Sequence, residues 1–341
     1  MNLMASRLPP PPSPEELRAA TPAIAPVGPG PRPFFSVMIP THNCAGYLRE
    51  TLASVLAQDS GSDQMQIEVI DDCSTADDPE AVVAEIGRGR VVFHRNPRNL
   101  GPTQTFNVCI ERARGYWVHI LHGDDAVLPG LYDECRRALA VRPDLVMVAG
   151  PLVMMDEIGR WVAVIGPRGP ELGGVFEDFL RAEAVEQQLQ YAGVVVKREA
   201  YERVGGFCTI FGHTQDMDMW FRLGEVGPVW CTRRPYGLFR VHAASDTGRQ
   251  MVLGTNMHEE VIATRMNLSR LAARSLSQPP DWRQRLAQRA YRNARKLHRA
   301  GSAEGRLNQA RWAVRLAPTP RNLWLWLRAR VGALLDGQSG R

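Results

Sequence analysis

Between Phe34 and Leu121 short apolar runs alternate with amphipathic stretches, and no other feature of the chain limits its fold as much. The runs "FFSVMIP", "MQIEVID", "RVVFHR" and "YWVHIL" are brief, continuous and rich in β-branched or aromatic residues. Strands buried on both faces look like this. Between them lie "NCAGYLRETLASVLAQ", with Tyr47, Leu48, Leu52, Val55 and Leu56 at helical spacing, then "DPEAVVAEIG" and "TQTFNVCIERARG". The order β-α-β-α-β-α-β predicts an α/β fold with a Rossmann-like, mostly parallel sheet and helices on both faces. Ligands of such sheets bind beyond the carboxyl ends of the strands. Three of those ends are polar here: Thr41-His42-Asn43, Asp71-Asp72 and Asp124-Asp125.

Adjacent carboxylates repel, so a strand end that carries two of them needs a cation or a hydroxyl to hold. In "YWVHILHGDDAVLPG" a strand runs straight into Asp124 and Asp125. No GxGxxG follows the first strand, and neither GxxxxGKS nor GxxxxGKT occurs, so the glycine-rich phosphate cradles are absent. A nucleotide bound to this chain therefore needs a metal at its phosphates.

The rest of the chain divides by composition. Residues 1–33 hold 10 of the 25 prolines and read as a structureless leader. Residues 34–250 form the expected catalytic domain, with 34–150 as a nucleotide-binding half and a less regular, glycine-rich 151–250 as an acceptor half. Residues 251–341 read as a basic helical extension. The net charge of +5 hides an asymmetry, for from Val261 onward roughly 17 Arg and Lys face 3 acids. The 6 cysteines are scattered without a CxxC pair, which suggests neither zinc nor a disulfide framework. No apolar run reaches membrane-spanning length, and prolines from Pro9 onward interrupt any signal-peptide core. The expected location is the cytoplasm, or the inner face of its membrane. Near the end, "RNLWLWLRARVGALL" sets Trp324 and Trp326 among arginines. That suits an interfacial helix touching the membrane peripherally, a solvated appendage, an oligomer contact, or a face buried against the catalytic domain. Nucleic acid is not an expected partner, since no binding motif is present.

The pieces "SVMIPTHNCAGYLRETLASVLAQ", "EVIDDCS", "NLGPTQTFNVCIERARGYWVHILHGDD", "VGGF", "QDMDMWFRL" and "FRVHAAS" appear in the order typical of one family. Over roughly residues 35–245 the chain resembles the inverting family 2 glycosyltransferases of the GT-A fold. The resemblance implies that Pro40, Thr41, His42 and Asn43 contact the nucleotide base, with the His42 ring against it. It gives Asp71 and Asp72 to the base as well, although Asp71 by its own chemistry also suits a helix N-cap. Arg98, Asn99 and Gly101 fall in the loop that closes over base and ribose. "HGDD" matches the metal-binding DxD region with His122 where an aspartate usually leads. Asp124 and Asp125 are then the residues nearest ribose and metal, Mn2+ or Mg2+, and His122 tilts the choice toward Mn2+ or packs beside the strand. "TQDMDMW" matches the Glu-Asp of the family, with Gln215 for the glutamate and Asp216 as catalytic base. Asp218 is its rival, read as a helix-start residue. His242 joins the metal or the diphosphate, and Arg240 pairs with phosphate.

The function so implied is transfer of a sugar, with inversion, from a UDP-linked donor to a hydroxyl of a carbohydrate or lipid-linked acceptor. Cell-surface polysaccharide or glycolipid synthesis is the context. A sugar-1-phosphate nucleotidyltransferase is the nearest enzyme alternative, though "PTHNCAGYL" lacks its Gly-rich basic loop. A catalytically silent relative that binds or assembles is the other, because of His122 and Gln215.

Overall fold

"FSVMIPT" forms β1 (Phe35–Thr41), and all seven of its residues are buried. In this computed structural model, which describes residues 8–167, 173–242 and 246–336, β1 lies inside a twisted sheet. It pairs in parallel with β2 (Met65–Asp71) on one side, and β3 (Val92–Arg95) extends the sheet beyond β2. On its other side β4 (Trp117–Ile120) runs parallel too. The later strands are β5 (Ala126–Val127), β6 (Met147–Ala149), β7 (Leu152–Met155), β8 (Trp161–Ile165), β9 (Gly174–Val175), β10 (Val194–Lys197), β11 (Val229–Cys231) and β12 (Gly237–Arg240). The main sheet has the order β3-β2-β1-β4-β10-β6-β11-β9, with β10 antiparallel to both neighbours. A second sheet of order β5-β12-β7-β8 grows from the segment just after Asp125. Its β12 returns the chain to that point.

The helices around these sheets are α1 (Pro14–Ala20), α2 (Ala45–Leu56), α3 (Pro79–Gly87), α4 (Pro102–Arg112), α5 (Leu131–Val141), α6 (Phe179–Glu183), α7 (Arg198–Val204) and α8 (Gln215–Gly224). Local chemistry starts them. Asp78 caps α3 by accepting the Ala81 N–H, and Pro79 and Pro102 occupy first turns whose amides need no partner. Alternation along β1 then sorts the two faces. Val37 and Ile39 pack with Leu48, Leu52 and Val55 of α2 and with Val82 and Val83 of α3. Met38 faces the opposite layer, with Phe106 and Ile110 of α4, Tyr201 of α7 and Trp220 of α8. Burial on both faces explains why these strands read as unbroken apolar runs.

One expectation fails here. The proline-rich leader is not structureless over Pro14–Pro33. It carries α1, and Ile24 is buried. Its carbonyls find donors: Ala20 accepts from the Thr209 amide, Pro22 from the Gly206 amide and Ala25 from Arg198. Arg32 in turn donates to the carbonyls of Arg114 and Gly115. Prolines bring no N–H that must be satisfied, so a segment rich in them can lie against a domain through its carbonyls alone.

The chain divides into two compact units. Pro14–Ala182 with Gln188–His242 makes the sheet unit, and the chain after His242 makes the other, together with Glu183–Gln187 and the residues up to Ser13. The second unit holds α9 (Asp246–Leu253), α10 (Thr255–Ala273), α11 (Trp282–Arg299), α12 (Ala303–Leu316) and α13 (Pro320–Asp336). Ala294, Ala310, Leu325 and Ala329 meet between α11, α12 and α13, where small side chains let the helix backbones approach closely. No described helix is long and apolar enough to cross a membrane.

One buried histidine gives the fold a pH dependence. His119 on β4 is fully buried, its Nδ1 lies 3.2 Å from the Tyr132 hydroxyl, and burial lowers its pKa to about 4. A folded-state pKa below the unfolded value means that the unfolded chain binds the extra proton between roughly pH 6.5 and 4. Stability contributed by neutral His119 is therefore complete above that window and falls as pH drops through it, by about 3 kcal/mol. Urea unfolding across this range is expected to show a steeper loss in the wild type than in His119→Gln, whose amide keeps a partner for Tyr132. Parallel curves overturn the assignment.

Candidate active site

Three strand ends converge. The Pro40 carbonyl at the end of β1 accepts the Gly123 amide at 2.9 Å, which draws the loop after β4 against Thr41. A Cβ on Gly123 would lie 2.9 Å from the Thr41 hydroxyl, so glycine is required between His122 and the aspartates. Thr51, buried on α2, fixes the same loop by donating its hydroxyl to the carbonyls of Gly123 (3.0 Å) and Asp125 (2.6 Å).

The β1 and β2 ends are locked together by side chains. His42 Nδ1 lies 3.0 Å from the Asp72 carbonyl, which makes Nδ1 the protonated nitrogen. Its Nε2 is then an acceptor for the Asn43 amide at 2.9 Å and the Asn99 amide at 3.2 Å. Asn43 sits at φ 50, a conformation asparagine tolerates, and its Oδ1 accepts the amides of Thr75 and Ala76.

The two aspartates after β2 differ in what they leave open. Asp71 is fully buried. Its Oδ1 accepts the Ser74 amide and hydroxyl, and its Oδ2 accepts Arg95 Nε at 2.7 Å with a second, longer contact to the Ser74 amide. Three donors serve Asp71, the Ser74 amide being shared between its two oxygens, and no part of it reaches solvent. Asp72 accepts Asn96 and the Leu100 amide on Oδ1 but only the Gly101 amide on Oδ2. One acceptor position remains on Asp72. Asn96 was not marked out by the sequence reading; a polar residue immediately after β3 in "RNPRN" was its only signal. Arg98 lies exposed on the same loop as Asn99 and Gly101.

Asp124 and Asp125 also part ways. Asp125 is 2% exposed, and its Oδ1 accepts the Arg240 backbone amide at 2.9 Å. Burial and the neighbouring charge of Asp124 push its pKa well above the usual carboxylate range. Asp124 keeps 28% of its side chain exposed and holds His242 Nε2 at 2.9 Å. Burial acts to raise its pKa, but the His242 hydrogen bond and the charges of His122 and His242 outweigh it, so Asp124 stays ionised below the ordinary range. His242 is raised in return, first by its hydrogen bond to Asp124. Cys44 beside Thr41 is no nucleophile, since burial and then the Asp124 charge lift its thiol to about 11.

Arg240 does not present itself to a phosphate. It is 3% exposed, and its guanidinium donates to the carbonyls of Asp124 (2.9 Å), Asp156 (3.3 Å) and Glu157 (3.4 Å) and to the Glu50 carboxylate. Its cation also lies over the Tyr47 ring. With its donors committed to protein acceptors, Arg240 anchors the aspartate loop to β12 and to the β7–β8 turn.

His122 faces inward, and its ring stacks on Phe106 at 5.1 Å and meets Tyr191 at 4.6 Å. Burial lowers its pKa. Tyr191 connects this end of the site with α8. Its pKa is raised by burial and then by the charge of Asp216, the second residue of α8. Asp216 is 6% exposed, and its Oδ1 accepts the Met217 amide at 2.8 Å. Asp218 instead pairs with Arg222 at 2.9 Å, and Arg222 holds the carbonyls of Val204 and Gly206. Sequence spacing gave no hint of Phe106 or Tyr191, because the contact joins distant segments.

Ligand atoms of His122, Asp124 and Asp125 lie within 4.8 Å of one another, with His242 on the outer carboxylate. Nε2 of His122 is buried without a partner among the described residues. The two carboxylates suit a hard divalent cation, Mg2+ or Mn2+, and an imidazole beside them favours Mn2+ over Mg2+.

A sheet of this order, with its carboxylates gathered at the strand ends, defines a nucleotide-sugar transferase of the GT-A type. Residues 36–185 match the model of the family described as glycosyl transferase family 2. An uncharacterized protein of Mycobacterium tuberculosis (strain CDC 1551 / Oshkosh) is 28% identical over 238 residues, 66% of this chain and 73% of its own length. Among solved structures, S. aureus TarS 1-349 in complex with UDP-GlcNAc matches over 87% of this chain and 92% of its own, with TM-score 0.52 and 17% identity. Mannosyltransferase PcManGT from Pyrobaculum calidifontis, in complex with GDP-Man and Mn2+, matches over 87% and 90%, with TM-score 0.52 and 19% identity. The protein is a glycosyltransferase with the GT-A fold.

Proposed function

We propose that this glycosyltransferase moves a sugar from a UDP-linked donor to an acceptor hydroxyl with inversion, using a divalent cation, Mn2+ or Mg2+. The observation that carries the reading is the asymmetry of the two aspartate pairs. In each pair one carboxylate is the more enclosed, Asp71 at 0% and Asp125 at 2% exposure, while Asp72 keeps an unused acceptor position on Oδ2 and Asp124 reaches solvent beside His242.

Asp72 offers its remaining acceptor position to an imide N–H of the base, and the His42 ring, exposed at the end of β1, lies against the base plane. Pro40, Thr41, Asn43, Arg98, Asn99 and Gly101 shape the remainder of that pocket. Asp124 and His242 hold the cation, with Asp125 beneath. When bound, the cation supplies charge that offsets the departing diphosphate. Asp216 takes the proton of the acceptor hydroxyl while that oxygen bonds the anomeric carbon, and the bond to the diphosphate oxygen breaks with its electron pair. The acceptor is a carbohydrate or a lipid-linked glycan of the kind used in cell-surface polysaccharide or glycolipid synthesis. TarS, solved with UDP-GlcNAc, supports a uridine donor.

A thermal-shift screen of nucleotide sugars with Mn2+ tests the donor. A bound donor raises the melting temperature by mass action, so UDP-sugars with Mn2+ are expected to shift it and either component alone to shift it less. A shift with guanosine donors only, or with none, removes this assignment.

A further inference from the structure

We infer that α13 is a membrane-docking helix whose outward face seats in an anionic lipid surface. Trp324, Leu327 and Val331 are 63%, 46% and 55% exposed, although each is large and apolar. They recur at intervals of three and four residues, so with 3.6 residues per turn they form one stripe along the helix. The opposite side is already used: Asn322, Leu325 and Ala329 are buried within the helical unit. The stripe is therefore surplus to the packing of α13. Contiguous exposed apolar side chains of this kind mark a contact surface.

Charge identifies the occupant. Arg321 and Arg328, one turn either side of Trp324, border the stripe along one edge, and Arg330 borders it along the other. All three are exposed, and Arg321 and Arg330 lean over the rings of Tyr291 and Trp326. No acid stands between Pro320 and Leu335. The chain from Ala243 onward holds 18 of the 41 Arg and Lys but only 6 of the 36 Asp and Glu. An apolar stripe with a tryptophan and arginines along both edges matches a lipid interface, where the ring sits among headgroups and the guanidiniums reach acidic phosphates. A second copy of this chain fits less well, since two such faces would oppose like charges.

The test uses the full chain and does not depend on the transfer chemistry. Co-sedimentation is measured with vesicles of equal parts phosphatidylglycerol and phosphatidylcholine, and with phosphatidylcholine alone. The wild type is expected to sediment with the anionic vesicles and to be weakened by added salt. Trp324→Glu with Leu327→Glu is expected to reduce the partition coefficient at least about ten-fold. Arg321→Gln with Arg328→Gln is expected to keep the apolar contact and lose part of the salt dependence. Circular dichroism and thermal melting show that the variants fold, which their exposed positions favour. Three results overturn the proposal: no wild-type sedimentation with anionic vesicles, equal sedimentation of the Trp324/Leu327 double variant, or a wild-type dimer that the same variant converts to monomer without any vesicle binding.

Discussion

Asp216→Asn is expected to lower turnover about 1,000-fold, within the range for loss of a general base, while the affinity for donor and cation changes little. The substitution is nearly isosteric. An asparagine Oδ1 still accepts the Met217 amide, so the start of α8 keeps its geometry. What disappears is the proton acceptor. The nucleotide end of the site draws its hydrogen bonds from β1, β2 and the aspartate loop, and those contacts are left intact. Asp218→Asn is the matching control. Asp218 is buried against Arg222, which holds two carbonyls before α8, so its loss costs stability, roughly 3 kcal/mol for a broken buried pair. Single-turnover transfer separates the chemical step from binding, and calorimetric titration with UDP and Mn2+ measures the latter. Loss of binding in proportion to loss of rate would deny Asp216 the role of base. If Asp218→Asn alone abolished chemistry in a folded protein, the base would be the other carboxylate.

The alternation of strands and helices could be read from the chain because a parallel sheet buries both faces of each strand, and "FSVMIPT" or "YWVHIL" carries that information locally. The polar strand ends were legible for the same reason: a carboxylate pair directly after an apolar run has one place to go. The division of labour within each pair was not. Asp125 becomes a structural acceptor only because β12 returns across it, and the donor involved is a backbone amide with no sequence signature. Arg240 was read as a phosphate ligand from its position in "FRVHAAS". Four of its five side-chain N–H groups go to Asp124, Asp156, Glu157 and Glu50, partners scattered over more than a hundred residues. Composition misleads at the leader, since its prolines exclude neither the short helix α1, which Pro14 opens, nor packing through carbonyls.

Asp124→Ala is expected to weaken Mn2+ binding by about 100-fold or more, because a direct ligand should matter at least as much as the outer partners whose loss costs 10–100-fold. Asp125→Ala, in contrast, is expected to lower the melting temperature while weakening Mn2+ less. The reason lies in their protonation. Asp124 is ionised and reaches solvent, and its partner His242 can give up Nε2 to a cation. Asp125 is enclosed, its Oδ1 is engaged by the Arg240 amide, and its pKa is pushed up by burial and by Asp124. A cation recruiting Asp125 works against the burial and the Asp124 charge that disfavour its ionised form, so its net contribution to affinity is smaller than charge alone suggests. Removing the Asp125 carboxyl leaves the Arg240 amide without its acceptor and loosens the joint between the aspartate loop and β12. Mn2+ titration followed by the paramagnetic signal of the free ion, in the presence of UDP, gives both affinities, and thermal melting without metal gives the stability difference. The opposite pattern, with Asp125→Ala abolishing metal binding in a protein of unchanged stability, would place the cation deeper in the site than His242 and the outer carboxylate allow.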